Sequence, residues 1–190
     1  MKHIYTILLM VIALLTSCEE SDKYTVVIDK DDLLYCVEYT ADSKIHYISD
    51  AFDANIIAHK WHNGIGRIYF DKPITKINNN AFSGCDGLTS IDIPDSVTSI
   101  GSFAFYDCDS LTSITIPDSV TSIGSYAFEY CNKLISIYCK ATTPPALGND
   151  VFYYNASGRK IYVPRNSVSA YKNADGWHLY SSSILGYDFE

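Results

Sequence analysis

Residues 88–110, LTSIDIPDSVTSIGSFAFYDCDS, run without a gap into residues 111–133, LTSITIPDSVTSIGSYAFEYCNK, and 17 of the 23 positions are identical. Self-similarity at a fixed period of this length marks a chain that stacks copies of one small unit. Such a unit cannot fold alone, because ordering its backbone costs more than its few large apolar side chains return. Stacked copies share a sheet and an interior, so each supplies its neighbours with a wall.

The period extends in both directions. Residues 65–87 match in register, with Ile68 in the place of Ile91 and Ile114, Ile77 in that of Ile100 and Ile123, and Ala81-Phe82 in that of the other Ala-Phe pairs. Residues 134–157 continue the pattern with one extra residue near Pro144 and Pro145, and RKIYVP places Ile161 and Val163 where Ile137 and Cys139 stand. The repeats therefore cover residues 65–157, with a closing strand after them. Within a unit the spacing L-x-x-I-x-I-P alternates Ile91 and Ile93 inward and Asp92 outward. Pro94 and Pro117 end their strands because a ring nitrogen cannot donate to a ladder. The inward set of one repeat is completed by Val97, Ile100, Ala104, Phe105 and Cys108. The copies preserve this interior, and the positions that differ between them lie mostly outside it.

The pattern LTSIxIPDSVTSIGxxAFxxCxx resembles the BspA-like, Treponema-type leucine-rich repeat of Bacteroidetes surface proteins, and the tail CKATTPP to GRKIYVPRNSVSAYKNADGW resembles their closing segment. The resemblance implies a mainly β solenoid of leucine-rich repeats of about 23 residues, and a binding or adhesive role without a stated ligand. Residues 24–64 do not follow the period. TVVI, LLYCVEYT and KIHYI read as strands, with ADSK as a turn, and predict an N-terminal β-cap over the first repeat. Residues 158–190 predict the closing strand and a C-terminal helical cap. Asn166 or Ser167 starts that helix, Val168, Tyr171, Trp177, Tyr180 and Ile184 form its apolar face, and Gly176 interrupts it.

The N-terminus reads as a processing segment. Lys2 precedes an apolar run from Ile4 to Leu15, about a dozen residues, which is too short for a membrane-crossing helix. Residues 1–17 therefore predict a signal peptide. Leu15-Thr16-Ser17-Cys18 resembles a bacterial lipobox, which implies lipidation of Cys18 and attachment to a membrane through it. Residues 18–23 form an acidic tether, in which EESD resembles a surface-export signal of Bacteroidetes lipoproteins. The expected location is the outer membrane, with the folded part displayed at the cell surface.

Charge and composition narrow the function. The net charge is −8 and Lys and Arg form no cluster, so nucleic acid is not an expected partner. Cys85, Cys108 and Cys131 recur at the repeat period in an inward slot. Three in a row leave one unpaired as disulfides, and equal steps along a ladder do not make a tetrahedral zinc site, so buried thiols acting as small hydrophobes are the favoured reading. His59 and His62 in HKWH lack a third ligand and read as part of a surface loop, while Asp107 and Asp109 lack the other ligands of a calcium loop. Asp95 and Asp118 read as turn formers, and no catalytic signature or phosphate-binding glycine loop is present. DSV at Asp95 and Asp118 and DSL at Asp109 resemble a Bacteroidetes O-glycosylation motif, set within repeat turns. No enzyme activity, cofactor or metal is expected.

The remaining candidate is the outward face of the sheet. One column reads Tyr69, Asp92, Thr115, Tyr138 and Tyr162, and its neighbour runs from Arg67 through Ser90, Ser113 and Ser136 to Lys160. Four strand spacings make a strip of roughly 19 Å, long enough for a short oligosaccharide or an extended peptide. Aromatic rings among hydroxyls and charges suit either a protein or a glycan ligand. The two readings are an adhesin-like binding module for a host or bacterial protein and a glycan-binding lipoprotein for nutrient capture.

Overall fold

The computed structural model describes residues 35–47 and 49–189. The signal peptide, Cys18, the acidic tether and the TVVI segment lie outside the described residues. The described residues begin with strands β1 (Cys36–Ala41), β2 (Ile56–His62) and β3 (Ile65–Phe70). β2 and β3 form a hairpin across Asn63 and Gly64, whose φ values of 49° and 84° are both left-handed. Asn-Gly is the pair this turn favours, because two successive positive φ angles match the twist of the flanking strands. His59 and His62 therefore sit in a strand rather than in a loop, and residues 44–47 of KIHYI form no strand although Ile45 is buried.

β1 does not lie over the first repeat. It enters the sheet between β3 and β5 (Leu88–Ile91), antiparallel to both, in the order β2-β3-β1-β5. Val37 pairs with Ile68 and Tyr39 with Ile91, so the alternating buried face of β1 continues the inward face of the repeat strands. Gly66 makes room for it. A Cβ there would stand 1.9 Å from the Tyr39 ring.

From β5 onward three parallel lines of contact run along the stack. The first carries β7 (Ser113–Ile116), β9 (Ser136–Cys139), β11 (Lys160–Pro164) and β12 (Ile184–Tyr187), in which Ile114, Ile137, Ile161 and Ile184 are successive register partners. β5 and β7 lie side by side without a regular ladder, joined by the Thr112 N–H donating to Thr89 O at 3.3 Å. The second line joins β4 (Lys76–Ile77), β6 (Ser99–Ile100), β8 (Ser122–Ile123) and β10 (Ala146–Leu147), again parallel and with like residues paired. Backbones approach so closely here that a Cβ on Gly124 would lie 2.4 Å from Ser102 N. The third line runs through the Ala-Phe turns. Phe82, Phe105 and Phe128 each donate their N–H to the carbonyl of the next repeat, at 2.7, 2.8 and 3.0 Å, while their rings stack at 5.2 and 5.1 Å.

The periodic cysteines have a task within this third line. Cys108 and Cys131 are buried, and their thiols donate to Phe82 O and Phe105 O of the preceding repeat at 3.2 and 3.1 Å. In the last repeat Asn155 stands in the cysteine slot and its Nδ2 donates to Phe128 O at 2.7 Å. The slot therefore requires a small donor that reaches back to one carbonyl, and either side chain supplies it.

After β11 the chain forms a 3-10 turn (Arg165–Ser167), the single-turn-scale helix α1 (Val168–Asn173), a reversal at Gly176 with φ 74°, a 3-10 helix (Trp177–Ser183) and then β12. The helical segment is broken at Gly176 into two short pieces, and Ile184, expected on its apolar face, belongs instead to a strand that pairs with β11. Trp177 and Tyr180 set their rings against Phe152, ending the phenylalanine stack at an angle. Trp177 Nε1 donates to Pro145 O at 2.7 Å and the Tyr171 hydroxyl donates to Ala141 O at 2.7 Å. Among the described residues no helix is long and apolar enough to cross a membrane.

Candidate functional site

The outward face of the sheet is built by strand alternation, with every second residue of β1, β7, β9, β11 and β12 turned away from the core. The insertion of β1 changes its composition at one end. Arg67 and Tyr69 lie one strand farther from Asp92 than the repeat period implies. Arg67 is spent on Glu38, its cross-strand partner on β1, at 2.6 Å. Tyr69 is only 7% exposed, walled by Cys36 on one side and Ala58 on the other, so it is corrected from a surface ring to a buried one. Burial also pushes its phenol up, the Arg67 charge acting the other way.

Asp92 remains exposed, and its N–H donates to Glu38 O at 2.8 Å. It lines a shallow groove of about 480 Å³ with Glu38, Asp95, Thr115 and Lys140. This end of the face is acidic.

The other end is aromatic. Tyr138 and Tyr162 are register partners on β9 and β11 and stack at 4.8 Å with their planes 15° apart. Tyr187 on β12 meets both edge-on at 5.6 Å, and Phe189 packs on Tyr187 at 5.0 Å. Leu185, the partner of Tyr162, is 40% exposed beside them, and Lys160 stands exposed at the margin. Sequence reasoning missed Leu185, Tyr187 and Phe189 because it carried the helix through Ile184. The alternation in ILGYDF, with Ile184 inward and Leu185 and Tyr187 outward, is the signal that would have found them. Thr115 and the serine column lie between the acidic and aromatic ends, half-buried.

The stacking has a chemical consequence. Tyr138 and Tyr162 cover one face of each other, so the cluster presents edges, hydroxyls and one free flank rather than a row of open ring faces. Among the described residues no group of three His, Cys, Asp or Glu converges as a metal set.

A family model described as the BspA type leucine-rich repeat region matches residues 58–174 in six copies. No curated protein matches the chain. Among solved structures it is similar to a leucine-rich repeat protein from Bacteroides ovatus, at 25% identity over 75% of this chain and 38% of that one, with a TM-score of 0.41. It is also similar to a leucine rich cell surface protein from Faecalibacterium prausnitzii, at 21% identity over 69% of this chain and 46% of that one, with a TM-score of 0.29. The chain thus spans less than half the length of either protein.

Proposed function

The chain belongs to the BspA-type leucine-rich repeat family, and on that premise we propose that it is a non-catalytic binding module of the cell surface that engages a protein through the outward face of its sheet. The observation that carries this reading is the cluster of Tyr138, Tyr162 and Tyr187 on an open sheet face, flanked by Leu185 and Lys160. Tyrosines held rigid by one another offer apolar area and hydroxyls at small entropic cost, which is the make-up of a protein hot spot. The stack is a solenoid in this reading, with the N-terminal strands and the C-terminal helical pieces closing its ends. Lipidated Cys18 tethers it to the outer membrane and the acidic segment after it directs it to the surface. No nucleic acid or cofactor takes part.

The glycan reading rests on the same tyrosines together with the hydroxyl column from Ser90 to Ser136. It is disfavoured because sugar rings stack on open aromatic faces, and Tyr138 and Tyr162 cover one another. Replacement of Tyr138 and Tyr162 by Ala, followed by binding to immobilised host matrix proteins and to a glycan array, separates the two. Loss of matrix binding alone supports the proposal, loss of glycan binding alone supports nutrient capture, and unchanged binding on both removes this face from consideration.

A further inference from the structure

A second aromatic surface lies on the turn edge of the stack, away from the sheet face. Tyr106 meets Tyr130 edge-on at 5.5 Å, Tyr130 stacks on Tyr154 at 4.7 Å, and Phe103 stacks on Tyr126 at 4.9 Å in a parallel file. Tyr130 and Tyr154 are 36% and 52% exposed, and Tyr153 beside them 49%.

The backbone beneath these rings is unfavourable for them. Each turn has two left-handed positions, filled in the first repeat by Asn80 and Gly84 at φ 58° and 71°, residue types suited to that region. The later repeats put Phe103, Tyr126 and Asp150 in the first position, at 58°, 62° and 52°, and Asp107, Tyr130 and Tyr154 in the second, at 58°, 60° and 50°. Strain of this kind persists only where something offsets it, and the exposed Tyr130 and Tyr154 rings gain little from burial. Five of the six differences between the duplicated 23-residue units fall in this turn, from residue 103 to residue 110.

The same edge concentrates negative charge. The Tyr130 phenol is pushed up by partial desolvation and by its neighbours Tyr154, Glu129, Tyr106 and Asp107, and the Glu129 carboxyl is raised by desolvation and by Asp150. Among the described residues none of Asp107, Glu129 and Asp150 forms a salt bridge. Arg159 is already placed over the Tyr180 ring at 5.1 Å. Residues 19–34 are a poor occupant, since they carry Lys23 and Lys30 against six carboxylates.

We propose that this edge is a docking surface for a basic segment of another protein, whose Arg or Lys side chains lay their aliphatic stems along the exposed edges of the Tyr130–Tyr154 file and pair their charges with Asp107, Glu129 and Asp150. Stem packing against the tyrosines and carboxylate pairing reinforce each other at one site, and the carboxylates select cations over neutral ligands. The site is separate from the sheet face and stands or falls independently of it.

Isothermal titration of the purified protein with an (Arg-Ser)4 peptide, with (Gln-Ser)4 as control, tests the assignment. The Arg peptide is expected to bind at least about ten times more tightly than the Gln peptide, and less tightly as salt screens the charges. Tyr130→Gly with Tyr154→Gly is expected to weaken binding about tenfold or more while holding or raising the Tm, because glycine relieves both left-handed positions. Asp107→Asn with Glu129→Gln is expected to weaken binding and flatten its salt dependence, and Tyr138→Ala with Tyr162→Ala to leave it unchanged. Equal affinity for the two peptides overturns the proposal. So does full binding by the glycine variant, or a fall in its Tm, which would make the rings structural.

Discussion

The Tyr180 hydroxyl accepts the Phe152 N–H at 3.2 Å, in the place where the carbonyl of a following repeat would stand. Phe82, Phe105 and Phe128 donate to Ala104, Ala127 and Val151. Phe152 has no further repeat to donate to, and a side chain from the C-terminal 3-10 helix takes over. Tyr180→Phe keeps the ring against Phe152 and removes only the acceptor. Leaving a buried N–H unpaired costs about 1–3 kcal/mol. Thermal unfolding is expected to show a Tm lowered by several degrees, and an unchanged Tm would mean that the bond contributes nothing.

Gly124 fixes the spacing of the second ladder. Because the nearest atom to an added Cβ is backbone, Ser102 N at 2.4 Å, a Gly124→Ala chain has no flexible side chain to move aside. Overpacking of this kind costs roughly 1–3 kcal/mol. Denaturant unfolding should give a lower midpoint than the parent, whereas the same substitution at Gly84, where nothing lies within 4 Å, meets no clash and is opposed only by its φ of 71°.

Thiol chemistry reads out the third line. Cys85 and Cys139 are pushed up to about 11 by burial, and Cys108 is raised by its neighbour Cys131 and by burial. Cys36 alone among the described cysteines is not fully buried. Since the thiolate is the reactive form, alkylation of the native protein is expected to modify Cys36 first, with Cys108, Cys131 and Cys139 reacting only after unfolding. Peptide mapping after a short iodoacetamide pulse checks this, and early labelling of Cys131 would contradict the buried slot.

Acid should loosen the N-terminal strands before the repeats. Ile45 N–H donates to the Tyr39 phenol at 3.4 Å, leaving the phenol proton for His59 Nε2 at 2.7 Å, an arrangement that needs a neutral imidazole. Desolvation, with Lys44 and His46 nearby, lowers His59 to about 4. The unfolded chain therefore binds more protons than the folded one between roughly pH 6.5 and 4. Stability is expected to be level above that window and to fall as pH drops through it. His59→Gln should flatten the fall, and an unaltered profile would exclude His59 as its source.

Particular residues show how far the sequence could be read. Ile114, Ile137 and Ile161 stack as register partners because a fixed period repeats one inward shape, and that needs nothing beyond the chain itself. Asn63-Gly64 is legible as a hairpin turn from its residue types alone, although it lies just outside the repeat pattern. Asn155 in the cysteine slot was not legible, since its equivalence to Cys131 lies in a shared carbonyl contact and not in residue type. On the candidate face, Tyr138 and Tyr162 follow from the period, while Tyr187 lies beyond it.

The sequence by itself determined the stack, because duplicated apolar spacing leaves each unit unable to bury its interior without a copy alongside. Tertiary structure alone decided what happens where the copies run out. There the unpaired backbone groups and open ring faces take whatever partner lies within reach, so β1 entered between two repeat strands and buried Tyr69, while Tyr180 and β12 completed the other end. Those choices depend on distances across the fold, which no local spacing encodes.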